Sequence, residues 1–539
     1  MITVFMLGKA LNLFATYEGH TKTSHDDFFD SVDFETAQKC FPDSDPNLIL
    51  LGCYLSHATR QGHLCVTIDD TITPFPDRDT LVPSLQKAAR VFTDSPFIHR
   101  EGNRFYFSKF WMAEKTFEEH LKRLQKEIPS LSVNPELVTQ QLETHSELLP
   151  EQARAIQLAC EKSVSIISGG PGTGKTYTAG VLIQTLWNAM DDDQRKKARF
   201  VLTAPTGKAA IHLQKSFQRV CEKLPDFPPL RAQTLHSLLG IRPGIRKGRP
   251  LSADVILVDE SSMIDVQMMA QLLASVKSGA RLILLGDSHQ LPPVEAGSLF
   301  TDMMGQLGEV GELTHCLRAE LQGMRDFSEA IYNGEVDLVM TLLNRGEHGV
   351  YRLEFSSEKV SPLLQEIVSY AVKNQPKLPD FGYESIKTYL ESFCLLSPLR
   401  RGLFGVDTLN QKIYEAMQGC HIHPILITRN DLRQELYNGD TGVLVNGEYA
   451  LFLSSEGLKK IPVLLLPPYE YAYCLSVHKS QGSEFRRVAL LMPEGSESFG
   501  AEVFYTGVTR AKQRVDIWGS DPVLRATIEK KTYRHSGLK

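Results

Sequence analysis

The sequence predicts an α/β protein built on two parallel sheets, with a small β unit inserted in the second and a mainly α-helical N-terminal region. Three observations carry that expectation. From about residue 150 onward short apolar runs alternate with helical patterns, the runs fall into two clusters along the chain, and two β-rich runs within the second cluster meet at Asn446-Gly447. With 539 residues, 42% of them hydrophobic, the chain is long enough for about three cores.

Charge and cysteine usage narrow the class. The net charge of −6 gives no global basic footprint, so any nucleic-acid contact has to be local. The nine cysteines are odd in number and never form a CxxC pair, which argues against a disulfide framework or a zinc site and for reduced thiols in the cytoplasm. The N-terminal "MITVFMLGKALNLFATY" lacks a basic leader, carries Lys9 in its middle and reads as an amphipathic helix. No segment approaches the roughly 18 uninterrupted apolar residues of a membrane span.

Taken in order, residues 21–45 carry Asp26, Asp27, Asp30, Asp33, Glu35, Asp43 and Asp45 against Lys22 and Lys39, which predicts an acidic, solvated surface. "NRFYF" reads as a strand. In the following "AEKTFEEHLKRLQKEI", Phe117, Leu121, Leu124 and Ile128 share one helical face, and Pro129 ends it. The runs "SVSIISG", "RFVLTAPTG", "DVILVDE" and "RLILLGD" form the first strand cluster, and "FCLLSP", "RRVALLMP" and "VDIWG" the second. Strands alternating with helices imply parallel sheets covered on both faces. "GVLVNGEYALFL" reads as a type I′ hairpin and "IPVLLLP" as a further strand, giving a β insertion over about 437–468.

"SIISGGPGTGKT" is a strand, then G-x-x-x-x-G-K-T over Gly169, Gly170, Pro171, Gly172, Thr173, Gly174, Lys175 and Thr176, then a helix with Ala179, Leu182, Ile183, Leu186 and Met190 on one face. Such a loop closes its amides around phosphate, Lys175 reaches the β- and γ-phosphates, and Thr176 offers a hydroxyl to Mg²⁺, so ATP and Mg²⁺ are expected. "DVILVDESSM" delivers Asp259 and Glu260 to the same sheet edge, Asp259 toward the metal and Glu260 toward the attacking water. "RLILLGDSHQLPPV" ends a strand with Gln290 beyond it, a neutral side chain suited to sensing γ-phosphate or water. "SVHKSQGSEF", Ser476 to Phe485, is a polar loop directly before a buried strand, which serves no core.

"GDSHQLPPV" after those motifs resembles motif III of superfamily 1 helicases, and the rest of that series is similar in order. Gln152 resembles the adenine-reading Gln. "LTAPTGKAA", with Pro205, Thr206 and Lys208, resembles motif Ia, and "TLHSLLG", with Thr234 and His236, the next DNA-contacting element. Arg318 stands where motif IV carries an arginine, without the aromatic neighbour common there. "VHKSQGSEF" resembles motif V and "FYTGVTRAKQRV" motif VI, with Arg510 as its arginine. The polar loop then acquires a role: His478, Lys479 and Ser480 toward DNA phosphates, and Gln481, Gly482 and Glu484 toward the nucleotide.

The wording "LLSPLRRGLFGVDTLN" and "RNDLRQELYNGDTGVL", with the motifs above, closely resembles the RecD family, the alpha subunits of exodeoxyribonuclease V (the RecBCD enzyme). That resemblance is dense over about 146–520. It implies an N-terminal subunit-docking domain at 1–140, a RecA-like motor domain at 141–320 with a short basic turn at about 241–250, and a second RecA-like domain at 321–539 in which the β insertion is SH3-like. It also implies 5′→3′ movement on single-stranded DNA, action at duplex ends, and assembly with RecB-like and RecC-like subunits, one of which would hold the nuclease. The alternatives are a stand-alone superfamily 1 repair helicase, against which the short N-terminal region speaks, and an ATP-binding assembly subunit that moves no DNA.

Overall fold

A computed structural model of the chain describes residues 29–531 and 534–538, apart from 43–44, 70–77, 94, 223, 242–247, 294, 316–321, 354–364, 366, 370–380, 432 and 455–456. The expected N-terminal helix, Asp26, Asp27 and Asp43, most of the basic turn at 241–250, and Arg318 lie outside the described residues.

The N-terminal region packs helices Ser31–Cys40, Pro46–Arg60 and Arg78–Val91 around strands β1 (Cys65–Thr67), β2 (Ile98–Glu101) and β3 (Arg104–Phe107), antiparallel in the order β1-β3-β2. The acidic stretch is not simply a solvated surface. Asp33 is fully buried, with its carboxylate accepting from Ser56 Oγ at 2.7 Å and from Arg60 Nε at 3.1 Å, because helix Ser31–Cys40 lays that side chain against Pro46–Arg60. In helix Ser108–Lys126 the residues Phe117, Leu121 and Leu124 are buried as their spacing predicts. Ile128 is 86% exposed, because the helix ends at Lys126 and the backbone turns extended at Glu127.

The first parallel sheet contains β4 (Val164–Gly169), β5 (Phe200–Ala204), β6 (Ala232–Thr234), β7 (Val255–Val258), β8 (Arg281–Gly286) and β9 (Gly311–Leu313), in the order β6-β5-β7-β8-β4-β9. Its central strands are fully buried and almost wholly apolar, β7 being Val-Ile-Leu-Val and β8 apolar after Arg281, as burial on both faces demands. One face shares a core with helix Ser108–Lys126: Phe117, Leu121 and Leu124 join Met269, Leu272 and Leu273 of helix Val266–Ser275. Arg123 seals that contact by donating to the carbonyls of Leu273 (3.2 Å) and Val276 (2.8 Å).

The second parallel sheet begins with β10 (Val350–Arg352) and β11 (Phe393–Ser397). It is interrupted by an antiparallel sheet of β12 (Ile422–Ile427), β13 (Thr441–Val445), β14 (Tyr449–Ser454), β15 (Gly457–Pro462) and β16 (Tyr469–Tyr471), and resumes with β17 (Cys474–Ser476), β18 (Phe485–Met492) and β19 (Ala511–Gly519). The orders are β10-β19-β18-β11-β17 and β15-β14-β13-β12-β16. Asn446 (φ 50°) and Gly447 (φ 70°) both take the left-handed region, and Glu448 N donates to Val445 O at 3.0 Å, as a type I′ turn requires. The inserted sheet is wider than 437–468, since β12 pairs with both β13 and β16. "IPVLLLP" is a strand only in its first two residues: Val463–Leu465 form a 3₁₀ turn, and Leu464 is 94% exposed.

Candidate active site

The C-terminal edge of the first sheet faces the N-terminal ends of strands in the second, and a cavity of about 620 Å³ lies between them. Lys175, Thr176, Asp259, Glu260, Gln290 and Arg510 all line it. These residues are spread along the chain from Lys175 to Arg510, and the sheet edges bring them together.

The phosphate loop connects β4 to helix Lys175–Asn188. Gly172 (φ 79°) and Gly174 (φ 85°) occupy the left-handed region that side-chain-bearing residues rarely adopt. Lys175 Nζ donates to the carbonyls of Gly169 (2.5 Å) and Gly170 (3.0 Å), so the ammonium sits folded on the loop. Gln152 is fully buried at the start of helix Pro150–Glu161. Its Nε2 donates to Thr173 O at 3.1 Å and its Oε1 accepts from Leu149 N at 3.1 Å, so it braces the loop from behind.

Asp259 and Glu260 follow β7. Asp259 accepts from the Glu260 amide at 2.8 Å, and Glu260 takes φ 52°, a conformation that costs about 1–3 kcal/mol for a residue other than glycine. Burial raises the Asp259 carboxyl above its usual range. Burial, and then the neighbouring Asp259, push Glu260 up to about 7.

Beyond β8, Asp287 accepts from Gln290 Nε2 at 3.0 Å and from the Tyr505 hydroxyl at 3.2 Å. Gln290 lines the cavity, and its Oε1 is buried with no hydrogen-bond partner among the described residues. The next residue joins the two sheets: Leu291 N donates to Thr506 Oγ1 and Leu291 O accepts from Gln481 Nε2, each at 2.8 Å. Arg510 is 3% exposed and donates to Thr506 O (3.1 Å), Ser483 O (3.3 Å) and Thr509 Oγ1 (3.2 Å), with no carboxylate in ion-pair contact among the described residues.

The expected DNA contacts divide. Thr206 and Thr234 cap the helices Gly207–Cys221 and Leu235–Leu239 at the ends of the paired strands β5 and β6, so Pro205, Thr206, Thr234 and the exposed His236 share one edge. Lys208 does not join them, since it lines the cavity and donates to Ser483 Oγ at 2.7 Å. In the 3₁₀ turn His478–Ser480, Lys479 is ion-paired with Glu470, and burial lowers the pKa of His478. Ser480 is fully buried and donates to Val477 O at 2.7 Å. It completes the turn and is closed to any phosphate.

Sequence reasoning missed Tyr177, Ser483 and Tyr505. Tyr177, directly after the phosphate loop, is 42% exposed and donates its hydroxyl to Glu147 at 2.6 Å, which presents an anchored ring at the mouth of the cavity. Its place immediately after "GKT" was the available signal.

Two families match the chain: the AAA domain over residues 147–349 and the UvrD-like helicase C-terminal domain over residues 471–517. The RecBCD enzyme subunit RecD of Mycolicibacterium smegmatis is 32% identical over 521 residues, covering 89% of this chain and 91% of that protein. The RecBCD enzyme subunit RecD of Haemophilus influenzae is 30% identical, with 80% and 79% covered. The ATP-dependent RecD2 DNA helicase of Deinococcus radiodurans is 27% identical, with 79% of this chain but 57% of that protein covered.

Proposed function

The chain belongs to the RecD family of RecBCD enzyme subunits, and from that premise we propose that it is an ATP-dependent DNA helicase, the RecD motor of a helicase–nuclease complex. It moves 5′→3′ on single-stranded DNA, enters at duplex ends, and assembles with RecB-like and RecC-like subunits in the cytoplasm. The observation that carries this reading is the convergence of Lys175, Asp259, Glu260, Gln290 and Arg510 on one cavity between two parallel sheets. The subunit reading is favoured over a stand-alone helicase because the mycobacterial and Haemophilus RecD subunits are 32% and 30% identical to this chain and the RecD2 helicase 27%.

The residues fit a nucleotide and its metal. Thr176 and Asp259 would hold a divalent cation, Mg²⁺, which supplies charge neutralisation of the phosphate oxygens when bound. Lys175 exchanges the Gly169 and Gly170 carbonyls for the β- and γ-phosphates, Gln152 fixes the loop from behind, and Tyr177 offers its ring to the base. Glu260 takes the proton of the attacking water, and the unpartnered Gln290 Oε1 orients that water. Arg510 comes from the second sheet to the charge that builds in the transition state, an effect worth about 10³–10⁵ in rate for arginine fingers. Arg318 joins it by family resemblance. DNA lies along the edge of Pro205, Thr206, Thr234 and His236, held mainly through phosphates and therefore sensitive to salt.

Streptavidin displacement from single-stranded DNA biotinylated at one end tests the direction. Displacement from the 3′ end is expected. Displacement confined to the 5′ end overturns the polarity.

A further inference from the structure

Lys208 is unusual among the cations around the cavity. Its ammonium has three donors, and the described structure gives it one neutral acceptor, Ser483 Oγ. No carboxylate of the described residues is in ion-pair contact with it, and burial lowers its pKa more than Cys394, Asp440 and Glu391 raise it. Lys512 on the opposite wall is different, being shared between Glu391 (3.8 Å) and Glu484 (3.6 Å). A half-buried ammonium that lines a cavity, with no carboxylate of the described residues in ion-pair contact, is a candidate site for an anion.

The surroundings identify the anion. Ser483 adjoins Gly482, which lies beside Glu260, so the Lys208–Ser483 pair is next to the place where the γ-phosphate would be cleaved. Lys208, His212 and Ser216 stand at i, i+4 and i+8 on helix Gly207–Cys221, and all three line the cavity. That polar stripe extends the cavity wall away from the Lys208–Ser483 pair. ADP, held by the loop, would block departure on the other side.

We propose that Lys208 and Ser483 form a second oxyanion subsite, which receives inorganic phosphate after ATP cleavage and starts it along the Lys208–His212–Ser216 stripe. The proposal rests on the ATPase reading above. Hydrolysis breaks the bond from Pγ to the β,γ-bridging oxygen and forms one from Pγ to the water oxygen. ADP keeps the bridging oxygen, and the water proton passes through Glu260 to solvent. The freed phosphate exchanges the loop amides and Lys175 for the two unused Lys208 donors and the Ser483 hydroxyl, while ADP stays bound.

The test is product inhibition of the full chain's DNA-stimulated ATPase by inorganic phosphate in the presence of ADP. Ser483→Ala is expected to raise the half-inhibitory phosphate concentration about tenfold, the loss of one charge-assisted hydrogen bond, and Lys208→Met about a hundredfold, the loss of two. Inhibition by ADP alone should stay as in the wild type, which also reports that the variants are folded, and Lys208→Arg should keep most of the phosphate effect. Wild-type hydrolysis that phosphate does not inhibit, or half-inhibition unchanged in both variants, overturns the subsite and leaves the motor reading standing. Absence of any wild-type ATP cleavage overturns the motor reading and the subsite with it.

Discussion

Lys175 and Arg510 rest on protein carbonyls in this structure, yet those contacts differ in what their loss would do. Lys175 is satisfied by its own loop, so Lys175→Ala is expected to abolish ATP hydrolysis while single-stranded DNA binding persists, the DNA edge being built by other strands. Parallel ATPase and DNA titrations check this, and wild-type turnover would remove the loop from the mechanism. Arg510→Ala should keep nucleotide affinity within a few-fold and lose about 10³-fold in turnover, because a group aimed at transition-state charge adds little to ground-state binding. Fluorescent-nucleotide binding beside steady-state turnover separates the two effects. Equal loss in both would make Arg510 a binding residue. The left-handed backbone of Glu260 belongs to this scale as well, a local strain held at the carboxylate that needs the most definite aim.

At the scale of elements, the phosphate loop, the strand ends and the Asn446-Gly447 hairpin were legible because each depends on residues adjacent in the chain. Misreadings arose where a contact crossed from one element to another. Asp33 read as one more surface acid, but helix packing buries it against Ser56 and Arg60. Asp33→Asn should destabilise the N-terminal region by about 2–3 kcal/mol. That is below the ~3–5 kcal/mol for breaking a fully buried pair, because the Arg60 side chain stays 36% exposed. Thermal unfolding gives the number, and a change under about 0.5 kcal/mol would mean that the pair contributes little. Lys208 and Ser480 were read from motif position as DNA contacts. The helix turns Lys208 inward, and the 3₁₀ turn uses the Ser480 hydroxyl for itself.

For the whole molecule, the N-terminal region is tied in twice. Helix Ser108–Lys126 shares the core of the first sheet, and residues 534–538, arriving from the second sheet's last helix, return to it. Leu64 N donates to His535 O at 2.9 Å, His535 N to His63 Nδ1 at 3.1 Å, and Gly537 N to Glu114 Oε2 at 2.8 Å. Burial, and then His535, lower the pKa of His63 from 6.5 to about 4. A histidine whose folded pKa lies below its unfolded value contributes stability that is whole above the unfolded pKa and fades as pH falls through the folded one. This junction should therefore weaken as pH drops from 6.5 through about 4. Hydrogen exchange at the Leu64 and His535 amides reads it directly, and exchange faster at neutral than at acidic pH after correction for intrinsic rates would refute it.

What the sequence by itself determined was the α/β class, the two parallel sheets, the phosphate loop, the carboxylate pair and the order of the motifs. All of these follow from short-range periodicity and turn chemistry, which adjacent residues suffice to specify. The tertiary structure alone decided which of those residues share a cavity, that Gln152 braces the loop, that Lys208 faces the cleft, and that Leu291 is bonded to both Thr506 and Gln481. Those facts depend on which sheet edge meets which and on the direction in which each side chain leaves its element. Burial and hydrogen-bond satisfaction across hundreds of residues set both, and no local pattern encodes them.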